Sequence, residues 1–70
     1  MEKNILKDFG SHLRDVRIAL GLSQAELAYR GNFNRNYIGM IERGERNPSL
    51  KSLFRIAESL ELSLSELFKF

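Results

Sequence analysis

The sequence predicts an all-α fold of five short helices. Apolar residues recur at steps of three and four along most of the chain, and strand-like alternation is absent. Glycine, proline and cap-type residues divide that pattern into short segments. The first segment carries Leu6, Phe9, Leu13, Val16 and Leu20 as one stripe, and Gly21 follows where a helix commonly ends in a left-handed turn. Ser23-Gln24-Ala25-Glu26 reads as a capping box that opens a second helix bearing Ala25, Leu27 and Ala28, which should stop near Gly31-Asn32. Asn34 is a good N-cap for a third helix, with Tyr37, Ile38 and Ile41 inward, Phe33 just ahead and Gly44 at its end. Pro48-Ser49 restarts the chain, and Leu50, Leu53, Ile56, Ala57 and Leu60 stripe a fourth helix. Ser63-Leu64-Ser65-Glu66 is a second capping box, opening a short fifth helix with Leu67 and Phe68.

Length and composition narrow the function. Seventy residues make a single domain, and a chain of that size buries about 60% of its unfolded surface, so its core is modest. Small domains are commonly stapled by disulfides, a metal or a partner subunit. With no cysteine there is no disulfide, thiolate site or cysteine nucleophile, and one histidine, His12, does not make a zinc cluster. No metal or cofactor is expected, His12 is expected at the surface, and association with another chain is the staple left. No apolar run is long enough to span a bilayer and no signal peptide is visible, so the expectation is a soluble cytoplasmic protein.

The net charge is only +2, but it is unevenly placed. Arg30, Arg35, Arg43, Arg46, Lys51 and Arg55 outnumber Glu42 and Glu45 in the middle of the chain, whereas the last fifteen residues are net acidic. A basic centre can attract a polyanion; a solvated mixed-charge surface fits the same counts.

The stretch from Leu22 to Gly44 discriminates further. It reads as a short helix, a turn of about four residues and a second short helix. Ala28 offers a small side chain where the third helix crosses the second. Gly31 and Asn32 tolerate positive φ, and Phe33 can plug the turn into the core. These are the mechanical needs of a helix-turn-helix.

Leu22-Ser23-Gln24-Ala25-Glu26-Leu27-Ala28, Tyr37-Ile38, Ile41-Glu42-Arg43-Gly44 and Arg46-Asn47-Pro48-Ser49-Leu50 resemble the phage-repressor and Cro-like (Xre-type) helix-turn-helix family. The likeness continues through Ile56-Ala57-Glu58 and Leu64-Ser65-Glu66-Leu67-Phe68, covering the chain from about Leu13 to Phe68. The chain departs from the usual pattern at Asn32, where the family has a turn glycine, and at Met40, where it often has a polar base-reader.

The resemblance implies a compact five-helix, lambda-repressor-like DNA-binding domain spanning residues 1–70, with the helix-turn-helix proper at about 23–43. Ser23 and Gln24 then look like phosphate ligands at a helix N-terminus. Asn34, Arg35, Asn36 and Tyr37 look like base-readers, since arginine can grip a guanine edge and asparagine an adenine edge through two hydrogen bonds. Arg43, Arg46, Asn47, Ser49 and Lys51 look like backbone anchors. Arg17 and Glu42 look like a buried structural ion pair. Asn34 can equally be a cap only, and residues 46–51 a solvated loop.

Leu64, Leu67, Phe68 and Phe70 read either as a cover for the end of the core or as a two-fold homodimer interface. A homodimer would read half-sites of a (pseudo)palindromic operator ~34 Å apart on double-stranded DNA. The implied protein is a transcriptional regulator of prokaryotic or phage origin, nucleoid-associated, an autoregulatory controller of a restriction-modification or phage-type operon, with no small-molecule effector and no catalysis. An antitoxin-like interaction module that binds DNA only with a partner protein is the other reading.

Overall fold

The computed structural model describes residues 4–70. Among them are five α-helices and no strand: α1 (Ile5–Ala19), α2 (Gln24–Gly31), α3 (Arg35–Glu42), α4 (Leu50–Ser59) and α5 (Leu64–Leu67). Every helix starts at a side-chain cap. Asn4, Ser23, Asn34, Ser49 and Ser63 each accept a hydrogen bond from a backbone N–H of the first turn, which would otherwise lack a partner. At Ser23 and Ser63 the boxes are reciprocal, with Glu26 and Glu66 accepting from the cap residue's own N–H at 2.9 and 3.0 Å. Gly21 and Gly44 follow α1 and α3 at φ +75°, a conformation that costs other residues strain.

The turn between α2 and α3 divides two requirements between neighbouring residues. Asn32 carries the left-handed backbone (φ 56°, ψ 45°), the role asparagine tolerates best after glycine. Gly31 stays helical, and it is space that demands glycine there: a Cβ would press into the Phe33 ring and the Ser59 hydroxyl. The departure at Asn32 therefore leaves the turn intact.

Helix α3 lies against α1 and α2, α4 packs on α2, and α5 closes on α4. Their shared core is Phe9, Leu13, Leu22, Leu27, Ala28, Ile38, Ile41, Ile56, Ala57, Leu60 and Leu67. Three expectations change here. Leu67 is completely buried and so cannot meet a partner chain; it is the core anchor of α5. Leu20 and Leu50, placed on inward stripes by spacing, are 50% and 69% exposed, since each sits at a helix end where the stripe rotates off the core. His12 is half-buried, stacked on Phe70 at 5.3 Å, with Nε2 enclosed and unpartnered.

Gly10 sets the closest helix contact. A Cβ there would strike the backbone carbonyls of Ile41 and Glu42, so α1 approaches the end of α3 with nothing between them. At an exposed helix position, Gly→Ala is worth up to about 1 kcal/mol of stability. Gly10→Ala should reverse that sign and destabilise by about 1–3 kcal/mol through overpacking, read as a lower urea midpoint.

The caps also carry a pH signature. Hydrogen bonds from Ser23 hold the Glu26 carboxyl below its ordinary value, and those from Ser63 do the same for Glu66. Groups depressed in the folded state contribute stability above the unfolded glutamate range and lose it as pH falls through the lowered folded value. Replacing both by glutamine should therefore flatten the loss of stability below about pH 4.5, measured by denaturant titration across pH.

Candidate nucleic-acid interface

Helix α3 is divided along its length. Ile38, Gly39, Ile41 and Glu42 are buried, whereas Asn34, Arg35 and Asn36 at its start are exposed. The Asn34 side chain is committed as a cap, its Oδ1 accepting from the Asn36 N–H at 2.7 Å, which leaves its amide NH2 free to donate. Arg35 and Asn36 project from the first turn of a helix whose other end is fixed.

That fixed end is a buried polar junction. Arg17 of α1 donates through Nε to Glu42 Oε2 at 2.6 Å and through Nη2 to Oε1 at 3.0 Å, while its Nη1 donates to the Leu22 carbonyl at 2.8 Å. Gln24 Nε2, from the first turn of α2, donates to Glu42 Oε1 at 3.0 Å. The Glu42 hydrogen bond holds the Arg17 guanidinium above its ordinary pKa, outweighing the opposing effect of burial. Both residues of the pair anticipated from sequence are thus together, and Gln24 joins them. The Gln24 amide keeps a second hydrogen for another acceptor.

Aromatic stacking holds the other end of α3. Tyr37 is half-buried and stacks on Phe33 with ring centroids 5.5 Å apart; the Arg46 guanidinium lies 5.0 Å above the Tyr37 ring. Arg55 of α4 lies 4.2 Å over Phe33 and donates to the carbonyls of Gly31 and Asn32, the latter at 2.9 Å. Two cations and two rings therefore form one stack through the turn, each cation over a ring face. The sequence reading had no role for Arg55. Its partner carbonyls stand more than twenty residues earlier, and composition showed only a basic centre.

Of the anticipated anchors, Ser23, Arg43, Arg46, Asn47, Ser49 and Lys51 are exposed. Ser23 and Ser49 are the N-caps of α2 and α4, and Arg43 pairs with Glu45 at 3.1 Å on the open surface. That pair raises the Arg43 pKa, chiefly through the hydrogen bond to Glu45. Met40 is half-buried. Among the terminal apolar residues, Leu64 is half-buried, and Phe68 and Phe70 both lean on Phe9, at 5.8 Å each, while staying partly exposed. No helix among the described residues is long and apolar enough to cross a membrane.

Residues 13–67 match the helix-turn-helix family HTH_3. The chain belongs to this family. Its relatives include the control protein C.BamHI of Bacillus amyloliquefaciens, 37% identical over the whole of this chain and 88% of that protein. The crystal structure of the restriction-modification controller C.AhdI from Aeromonas hydrophila is 42% identical, with a TM-score of 0.91 over 94% of this chain and 100% of that one. The controller C.Esp1396I, solved as a tetramer in complex with its natural 35 base-pair operator, is 37% identical, with a TM-score of 0.87 over 97% of this chain and 90% of that one.

Removing one side of the polar junction leaves the other charged and buried. Arg17→Ala should cost about 3–5 kcal/mol, measured by chemical denaturation. Replacing Arg17 and Glu42 together by apolar residues of similar volume should cost much less, since no uncompensated charge remains.

Proposed function

We propose that this chain is a sequence-specific, double-stranded DNA-binding transcriptional regulator of the restriction-modification controller type. It acts as a homodimer on a (pseudo)palindromic operator and regulates its own operon. The observation that carries this reading is the exposed Asn34-Arg35-Asn36 tip, held out on a helix whose far end is locked at Glu42. The relatives' regulatory roles and the operator complex of C.Esp1396I support it.

In this reading the start of α3 enters the major groove. Arg35 and Asn36 have the donors that distinguish guanine and adenine edges, and Asn34 contributes its free NH2. Tyr37, stacked on Phe33 and with the Arg46 guanidinium over its ring, offers its hydroxyl. The Gln24 amide hydrogen not given to Glu42, with the N–H groups at the start of α2 beside Ser23, meets a phosphate. Arg43, Arg46, Asn47, Ser49 and Lys51 follow along the backbone. Arg43 exchanges Glu45 for a phosphate, a small change because the existing pair is solvent-exposed. The protein works where its operator lies, in the cytoplasm at the nucleoid, and the activity is binding without catalysis or a small-molecule effector.

The test is fluorescence anisotropy with DNA from upstream of the chain's own gene, beside a scrambled duplex, at two salt concentrations. Tight cooperative binding to the upstream duplex alone is expected. Equal, salt-sensitive binding to both would mean that only the basic surface is at work, and would favour a module needing a second protein. Arg35→Ala should cost ~1–3 kcal/mol at one base pair of each half-site and relax preference there, read from a series of substituted operators. Gln24→Ala should weaken all duplexes alike.

A further inference from the structure

One cation of the basic centre serves the backbone of its own chain. Arg55 is exposed on α4, and among the described residues no carboxylate lies within ion-pair distance of it. Its Nη2, which has two hydrogens, donates to the carbonyls of two successive residues, Gly31 and Asn32. Gly31 closes α2, so the cation also sits at the negative end of that helix. The same guanidinium covers the Phe33 ring. Its reach is short because α4 passes close to the turn: a Cβ at Gly31 would meet the Ser59 hydroxyl, which itself donates to the Arg55 carbonyl at 2.7 Å.

These contacts fall on the residues that lead into the exposed tip. Asn32 holds a left-handed backbone, and the peptide that joins it to Phe33 is gripped at both of its polar atoms. Arg55 holds the carbonyl, and the Phe33 N–H donates to the Ala28 carbonyl at 2.7 Å. Asn34, the N-cap of α3, follows directly. The Phe33 ring under Arg55 is also the surface on which Tyr37 stacks. Arg55 thus reaches the start of α3 by two routes, one through a backbone peptide and one through the Phe33 ring. Lysine could not replace it: an ammonium keeps the charge but lacks the planar fork that stacks on a ring while bridging two carbonyls.

We propose that Arg55 is a positioning residue for base reading, setting the start of α3 and the Tyr37 ring without touching DNA. The inference rests on the DNA-reading function proposed above and adds to it a residue from outside the helix-turn-helix. Glu42 fixes the far end of α3, and Arg55 fixes the near one. Discrimination between the operator and other duplexes then depends on the shape of the Arg55 guanidinium. Binding to duplexes of any sequence depends only on charge.

Fluorescence anisotropy of Arg55→Lys and Arg55→Gln tests this, with the upstream and scrambled duplexes over a series of salt concentrations. Far-UV circular dichroism sets a temperature at which each variant is fully folded. Arg55→Lys should bind the upstream duplex about tenfold more weakly, the size of one base-pair contact, and the scrambled duplex like wild type. Its salt slope should not change. In a Tyr37→Phe background the same exchange should cost clearly less, because the hydroxyl that Arg55 positions is gone. Wild-type binding by Arg55→Lys, with Arg55→Gln weaker on both duplexes and its salt slope shallower by about one, would make Arg55 a phosphate ligand and overturn the inference. A lowered urea midpoint with an unchanged ratio of the two affinities would make it a turn cap only, and overturn it equally. Effects of Arg55→Lys and Tyr37→Phe that simply add would overturn the route through Phe33. In these three cases the wild-type chain still prefers the upstream duplex and the proposed function stands. A wild-type chain that binds both duplexes alike would overturn both.

Discussion

The rest of the structure depends on one buried carboxylate. Glu42 accepts hydrogen bonds from Arg17 Nε, Arg17 Nη2 and Gln24 Nε2, so residues of α1, α2 and α3 meet on its two oxygens. An isolated carboxylate in that position would cost several kcal/mol, and a partly satisfied one remains unfavourable. Three donors with good geometry remove most of that cost, and only one relative placement of the helices supplies them. The Arg17 fork spends its remaining donor on the Leu22 carbonyl, so the link between α1 and α2 is fixed by the same group. At this end, too, Gly10 brings α1 onto the Ile41 and Glu42 carbonyls. Apolar packing alone would allow α3 to slide or rotate by a fraction of a turn; a directional junction does not.

Fixing one end of a short helix also fixes the direction of the exposed Asn34-Arg35-Asn36 tip at the other. α3 runs from Arg35 to Glu42, about 12 Å at 1.5 Å per residue. A small rotation at Glu42 would move the Asn34-Arg35-Asn36 tip by more than hydrogen bonds to base edges tolerate. Ile38 and Ile41, both essentially without exposure, hold the middle, at roughly 1.5–3 kcal/mol each. The Arg46-Tyr37-Phe33-Arg55 stack braces the turn side. It joins the loop after α3, α3 itself, the turn before it and α4, so a phosphate that draws Arg46 away would be felt at Tyr37.

Caps and stripe centres were legible in the sequence because they are local. Ser23 and Ser63 with their glutamates, Asn34 and Ser49 at helix starts, and Gly21 and Gly44 after helix ends follow from chemistry within four residues. The Arg17–Glu42 pairing was reached only through the family resemblance, since 25 residues separate the two and spacing does not join them. What could not be read was the edge of each stripe. Periodicity locates the middle of a buried face, but not whether Leu50, the first residue of α4, still lies over the core, which is a tertiary matter. Leu67 shows the converse, an apolar residue in a terminal helix that looked available for a partner and is wholly enclosed. The roles of Arg55 and the half-burial of His12 depend on contacts across the chain that no local pattern encodes.

The exposed α4 face follows from the size of the chain. A core of eleven buried apolar residues is spent holding α3 at the right angle, and α4 contributes only one side to it. Its other side carries Leu50 and Phe54, which stay 69% and 51% exposed. In the proposed reading a single tip would meet a few base pairs, too little surface for tight specific binding, and two tips related by two-fold symmetry would meet twice as many at a fixed spacing. In the proposed homodimer, stability and specificity would rise with the same concentration-dependent step, through mass action.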